Sequence, residues 1–200
     1  MDIIEKYNRT ADEYALSVIG GEDKAELQKL KSLLKSGDKV LDVACAAGRD
    51  TRILKDMGFN AVGSDLADNL LGIARKSNPD IEFFHADIRA LPFPDASFQA
   101  VWASAVLHHV EKQEMSVALK EFWRVLAPRG ILYVHTKAGN GRLRTNEESV
   151  RGETRDFELV TRAELDAMLQ DVGYKKISLE EKPSKSRPGL FWINAFYRKV

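Results

Sequence analysis

Beyond residue 38 the chain alternates two hydrophobic rhythms. Short runs rich in Val, Ile, Phe and Trp are separated by stretches in which apolar side chains return every three or four residues. "KVLDVA" (39–44) predicts a first strand, with the helix after it running from Gly48 to Met57. "NAVGSDL" (60–66) predicts a second strand, followed by helix from Ala67 to Lys76. "DIEFFHAD" (80–87) and "SFQAVWAS" (97–104) predict strands three and four. A helix near 111–126 follows, on which Met115, Leu119, Phe122 and Leu126 make one buried stripe, and "APRG" ends it before a fifth strand, "ILYVHT" (131–136). Thr161 and Glu164 are spaced as a capping box for a helix at about 161–171. Two last strands, "YKKISLEE" (174–181) and "LFWINAFYRK" (190–199), complete seven.

Such alternation predicts an α/β fold, a doubly wound and mostly parallel seven-stranded sheet with helices on both faces. Two amphipathic helices precede it, roughly 2–18 and 22–35, long enough together to fold over the top of the sheet. Two hundred residues suit one core, so the chain reads as a single domain with residues 1–36 as a helical cover and 37–200 as the sheet core. The longest irregular piece, about 138–156, has the length of a lid or binding loop.

Composition narrows the functional classes. Thirty basic side chains balance thirty acidic ones, so there is no general attraction to a polyanion, and nucleic acid or an acidic membrane would need a local patch. A single cysteine, Cys45, allows neither an internal disulfide nor a thiolate metal cluster and suits a reducing compartment. No stretch resembles a secretory signal or a membrane span. The expectation is a cytoplasmic monomer or homodimer without a metal.

The first strand runs into a turn, "VLDVACAAGRD" (40–50), where ligands of open α/β sheets are met. Asp42 would repel a pyrophosphate approaching the next helix N-terminus, which counts against a dinucleotide and favours a ligand carrying an ammonium or sulfonium, such as S-adenosylmethionine. Asp65 ends the second strand, where a carboxylate can accept both ribose hydroxyls. Asp87 follows the third, within reach of an adenine amino group. An aspartate at one strand end is most often a turn former, but three at successive strand ends ring one adenosyl ligand.

These residues carry a resemblance. "VLDVACAAGRDT", "VGSDLADNLLGIAR", "HADIRALPFPDASFQAVWAS" and "EFWRVLAPRGILYVHT" resemble, in this order, the motifs of class I S-adenosylmethionine-dependent methyltransferases. The resemblance implies a Rossmann-like sheet whose last strand is antiparallel, S-adenosylmethionine as methyl donor and S-adenosylhomocysteine as product. It implies cofactor contacts from Asp42, Ala44, Cys45, Ala46, Gly48, Asp65, Leu66, Asp87, Ile88 and Ala103, with Tyr7 and Tyr14 of the leading helix as cover. The sequence departs from the pattern where Ala44 and Ala46 replace glycines and where Gln99 replaces an aspartate. The turn survives if Ala46 keeps negative φ and turns its methyl away, with Cys45 packed behind as a small hydrophobe. Gln99 is read as a structural substitution that keeps a hydrogen bond.

On the acceptor side, "LHHV" (107–110) follows the fourth strand, and His108 or His109 is a candidate base or acceptor-orienting group, the alternative being one packed and one merely lining. His85 and His135 read as structural. Lys137, Arg142, Arg144, Arg151 and Arg155, interspersed with Glu147, Glu148 and Glu153, read first as a solvated face. Lys137, Arg155, Arg187 and Asn194 are the substrate-side candidates, the arginines offering paired donors to a carboxylate, while Trp192 reads as core. Three functions stay open: methyl transfer to a small molecule, modification of transfer RNA, and a binding module that keeps the fold without transfer.

Overall fold

The apolar runs fold as the sheet their alternation predicts. A computed structural model describes residues 3–17, 24–147, 153–184 and 187–200. The strands are β1 (Lys39–Val43), β2 (Asn60–Asp65), β3 (Glu82–His85), β4 (Phe98–Ser104), β5 (Leu126–Ala138), β6 (Arg142–Glu147), β7 (Glu153–Glu158), β8 (Tyr174–Pro183) and β9 (Phe191–Lys199). The helices are α1 (Ile3–Arg9), α2 (Ala11–Ser17), α3 (Lys24–Leu33), α4 (Arg49–Asp56), α5 (Asp68–Ser77), α6 (Lys112–Val125) and α7 (Arg162–Val172). Seven strands form one sheet in the order β3-β2-β1-β4-β5-β9-β8, parallel except for β9, which runs antiparallel to both neighbours. The chain winds outward from β1 to β3, then returns to the other side of β1 with β4. A crevice therefore opens above the carboxyl ends of β1 and β4, where such folds place ligands.

Alternate residues of each strand serve opposite faces. Val40, Ala61, Ala100, Trp102 and Tyr133 pack under α3 through Leu27 and Leu30 and under α4 through Leu54. Leu41, Val62, Val101, Leu132 and Val134 pack under α6 and α7 through Met115, Leu119, Phe122, Leu165 and Leu169. Each fully buried leucine or phenylalanine contributes about 1.5–3 kcal/mol. Gly63 on β2 makes room for this packing at one point, since a Cβ there would lie 2.5 Å from the Phe83 ring. The capping box at α7 forms as predicted: the Glu164 amide donates to Thr161 Oγ1 (3.2 Å) and the Thr161 amide donates to Glu164 Oε2 (2.8 Å).

Three expectations are corrected. The leading helix is two helices within its described part, broken at Thr10, whose hydroxyl donates to the Lys6 carbonyl (2.9 Å). Residue 2, residue 18 and residues 22–23 of the predicted helices lie outside the described residues. The helix α6 passes straight into β5 at Leu126, and "APRG" is absorbed by a register shift opposite Phe98 and Ala100, with Arg129 at φ 65°. The irregular piece at 138–156 folds for most of its described length into an antiparallel β6–β7 ribbon in which Leu143 faces Phe157 and Arg144 faces Asp156. Arg151 and Glu148 lie outside the described residues. No helix among the described residues is long and apolar enough to cross a membrane.

Candidate active site

A cavity of about 370 Å³ lies above the ends of β1, β2 and β4, a size suited to a small ligand. Ile3, Ile4, Tyr7 and Tyr14 of α1 and α2 close it from above, so the leading helices do cover the crevice. α3 instead packs on one face of the sheet.

The wall on the β1 side is the 44–48 turn. Ala44 (φ 55°), Ala46 (φ 50°) and Gly48 (φ 80°) are all left-handed, which corrects the expectation of negative φ at Ala46. Each left-handed alanine costs about 1–2 kcal/mol. The turn is held against that cost by hydrogen bonds from the Ala46 amide to Asp65 Oδ2 (2.8 Å), from the Cys45 amide to the Ser64 carbonyl (2.9 Å) and from the Gly48 amide to the Cys45 carbonyl (2.9 Å). Ala44 and Ala46 line the cavity. Gly48 does not: a Cβ there would lie 2.8 Å from Phe83 and 3.2 Å from Ala74, so this glycine lets α4 start against β3 and α5. Cys45 packs with Leu71, Ala74, Ile81 and Phe83 behind the turn, and burial pushes its thiol well above the ordinary range.

Of the three carboxylates, the structure brings two to the cavity. Asp65 is 9% exposed, and its Oδ1 accepts from the Ala67 amide while Oδ2 accepts from Ala46 (both 2.8 Å). Burial raises its pKa, and the amides of Ala67, Ala46 and Leu66 oppose the rise. Each oxygen keeps a lone pair for a further donor. Asp87 lines the cavity too, but Arg89 clamps it, donating from its amide to Oδ1 (2.8 Å) and from Nη2 to Oδ2 (2.5 Å), which holds Asp87 below the usual carboxylate range. Arg89 also donates to Glu114 (2.6 Å). Asp42 is not part of the wall: it is 2% exposed and accepts from the Thr51 hydroxyl (2.6 Å), with burial and then Asp50 pushing its pKa well up. Leu66 and Ile88 line the cavity, whereas Ala103 stays in the sheet core and Ser104 and Ala105 line the cavity beside it.

The two histidines part company. His109 lines the cavity, with Nε2 3.2 Å from the Tyr7 hydroxyl, and Arg155 donates to the same hydroxyl oxygen. Arginine only donates, so the Tyr7 oxygen accepts from Arg155 while its hydroxyl also meets His109 Nε2. Burial, Arg155 and Lys137 push the His109 pKa down to about 3, leaving a neutral ring. His108 is buried away from the cavity, 3.3 Å from the Thr136 hydroxyl and edge-on to Phe157. Gln99 keeps its hydrogen bond, accepting from the Lys39 amide (2.9 Å). His85 meets Asp68 (2.8 Å) at the surface.

Lys137, Arg155, Arg187 and Asn194 do not line this cavity. The Lys137 ammonium lies over the Phe157 and Trp192 rings at 4.2 and 4.1 Å, and Arg155 over Tyr7 and Phe157 at 5.1 and 5.5 Å. Trp192 is half-buried, not core. Arg187 donates to Thr145 on β6 (3.4 Å), and Asn194 accepts from the Tyr133 hydroxyl (2.8 Å) within the sheet. Sequence reasoning missed Arg89, Glu114 and Phe157; Arg89 alone carried a signal, as a basic residue two positions beyond Asp87.

Residues 41–134 match a family described as a methyltransferase domain. Over 98 residues the chain is 40% identical to a demethylmenaquinone methyltransferase of Renibacterium salmoninarum, covering 49% of this chain and 40% of that protein. Over 105 residues it is 40% identical to a 2-methyl-6-phytyl-1,4-hydroquinone methyltransferase of Synechocystis sp., covering 50% and 32%. The chain spans about half the length, or less, of the curated relatives it matches. Its fold is shared with a SAM-dependent methyltransferase from Methanosarcina mazei (TM-score 0.76, 22% identity, 86% of this chain and 96% of that one). It is shared also with the 1,6-didemethyltoxoflavin-N1-methyltransferase of Burkholderia thailandensis, solved with S-adenosylhomocysteine (TM-score 0.70, 18% identity, 98% and 88%). The sequence similarity, over residues 41–134, is to a methyltransferase domain, and the fold is one that solved S-adenosylmethionine-dependent methyltransferases share.

Proposed function

We propose that the protein transfers the methyl group of S-adenosylmethionine to a small-molecule acceptor. The observation that carries this reading is the charge of the cavity wall. Asp65, Asp87, Glu111 and Glu114 face one guanidinium, that of Arg89, at the switch point of the sheet. Such an excess of carboxylate favours a ligand with sulfonium and ammonium charges over a phosphate-bearing one.

In this reading Asp65 takes the ribose hydroxyls on its spare lone pairs, Leu66 and Ile88 flank the adenine, and Asp87 is shared between Arg89 and the adenine amino group. Ala44 and Ala46 form the wall beside the turn, under the cover of Tyr7 and Tyr14. Asp42, Cys45, Gly48 and Ala103 act from behind, fixing the shape of the turn and the strand ends. The bound donor supplies an electrophilic methyl group on a good leaving group, displaced in line to leave S-adenosylhomocysteine. Alignment and exclusion of water fall to the chain. His109 is a neutral ring oriented by Tyr7, suited to positioning the acceptor. His108, packed on Thr136 and Phe157, supports the segment that carries it. Similarity to a demethylmenaquinone methyltransferase and to a 2-methyl-6-phytyl-1,4-hydroquinone methyltransferase supports a small-molecule acceptor.

Labelled-methyl transfer tests the proposal. The protein, incubated with methyl-labelled S-adenosylmethionine and a metabolite extract, is expected to pass label to the small-molecule fraction. The left-handed alanines in the wall favour one other reading, a binding module. A rise in Tm with S-adenosylhomocysteine but no transfer to any fraction would establish it, because a ligand that binds only the folded state must stabilise it.

A further inference from the structure

Beside the acidic cavity lies a region of opposite sign. Lys137, at the end of β5, is only 5% exposed, yet its ammonium has neither a carboxylate partner nor a hydrogen-bond acceptor among the described residues. Its surroundings are the faces of Phe157 from the ribbon and Trp192 from β9. Burial, and then the nearby cations Arg187 and Arg155, draw its pKa down to about 7. Two cation–π contacts return only a fraction of what withdrawing an ammonium from water costs. A site so arranged gains most from a bound anion.

Its position relative to the cavity matters as much. Tyr7 and His109 line the cavity on one side, and on the other they meet Arg155 and Phe157, the His109 and Phe157 rings being 5.3 Å apart. The Tyr7–His109 pair thus stands between the acidic cavity and the Lys137 and Arg155 cations packed on Phe157 of the ribbon. The groups around Lys137 are flat rings, Phe157, Trp192 and His108, which suit a planar carboxylate better than a more strongly hydrated phosphate dianion.

We propose that Lys137, held between Phe157 and Trp192 beneath the β6–β7 ribbon, recognises the carboxylate of the methyl acceptor, so that the acceptor is a small carboxylic acid. This rests on the methyl-transfer reading above for what the bound acid is used for, and on Lys137 alone for its binding. The test is calorimetric titration at pH 7 with benzoate, its neutral analogue benzamide and inorganic phosphate, with and without saturating S-adenosylhomocysteine. Benzoate is expected to bind at least tenfold more tightly than either of the others. Lys137→Met and Lys137→Gln are each expected to lower benzoate affinity at least tenfold while keeping S-adenosylhomocysteine affinity within twofold, which shows that they fold. Equal binding of benzoate and benzamide, tighter binding of phosphate, or unchanged benzoate affinity in both variants would overturn the proposal. Failure of S-adenosylhomocysteine to bind while benzoate discriminates would instead overturn the methyl-transfer reading and leave the anion site standing.

Discussion

The most exacting feature of the cavity wall is that two of its alanines are left-handed. Replacing Ala44 or Ala46 by glycine removes the Cβ that makes φ near +50° costly, about 1–2 kcal/mol. Glycine gives back about 0.5–1 kcal/mol because its unfolded chain is freer. The balance is a change between about zero and a gain of about 1.5 kcal/mol for each substitution. The amide that bonds Asp65 is backbone and is kept. In a chain of this length 1 kcal/mol moves Tm by about 2–4 °C. The control is Ala47→Gly, since Ala47 lies between Ala46 and Gly48 without a left-handed φ and should lose about 0.5–1 kcal/mol. Urea unfolding followed by tryptophan fluorescence reads all three, with an unchanged m-value marking a change in stability alone. If Ala44→Gly and Ala46→Gly destabilise as much as Ala47→Gly, the turn is not left-handed at these positions and the geometry of the wall is wrong.

Two further outcomes follow from the same packing. Gly48→Ala meets both a left-handed φ and a Cβ position 2.8 Å from the Phe83 ring, so a loss of about 2–4 kcal/mol is expected in the urea midpoint, with a parallel loss of S-adenosylhomocysteine affinity. His109 gives the acid response: its folded pKa, about 3, lies below the unfolded value of about 6.5, so below pH 6.5 the unfolded chain takes up a proton that the folded one refuses. Stability therefore falls as pH is lowered from 6.5 toward 3, with a slope from this residue approaching about 1.4 kcal/mol per pH unit. His109→Gln should flatten the slope of the urea midpoint against pH in that window, and an unchanged slope would refute the buried neutral ring.

Much of this architecture was legible because burial on both faces writes itself into composition. The continuous apolar runs at β1, β2 and β4, the stripe on α6 and the Thr161–Glu164 box each specify one element with little competition. The ribbon was illegible for the opposite reason. β6 and β7 alternate charges on both faces, and only Leu143 and Phe157 are large apolar residues, so their pairing through Arg144 and Asp156 looks like a solvated loop until the strands are opposed. The site divides in the same way. Asp65 and Asp87 sit where strand ends put them, but whether a strand-end carboxylate faces the ligand depends on partners no local pattern displays. Asp42 is claimed by Thr51 and Asp87 is shared with Arg89. His108 and His109 are neighbours in one short turn, and a single residue's rotation sends one into packing and the other to the cavity.

The central claim is that Asp65, at the end of β2, holds an adenosyl ligand in the cavity above the sheet. Calorimetric titration of S-adenosylhomocysteine into the wild-type protein and into Asp65→Ala tests it most directly. The wild type is expected to bind, and the variant, once shown to be folded, to bind more weakly by about 1–3 kcal/mol, the range for a lost buried hydrogen bond to a charged group. No heat of binding in the wild type, or the same Kd in both proteins, would contradict the claim.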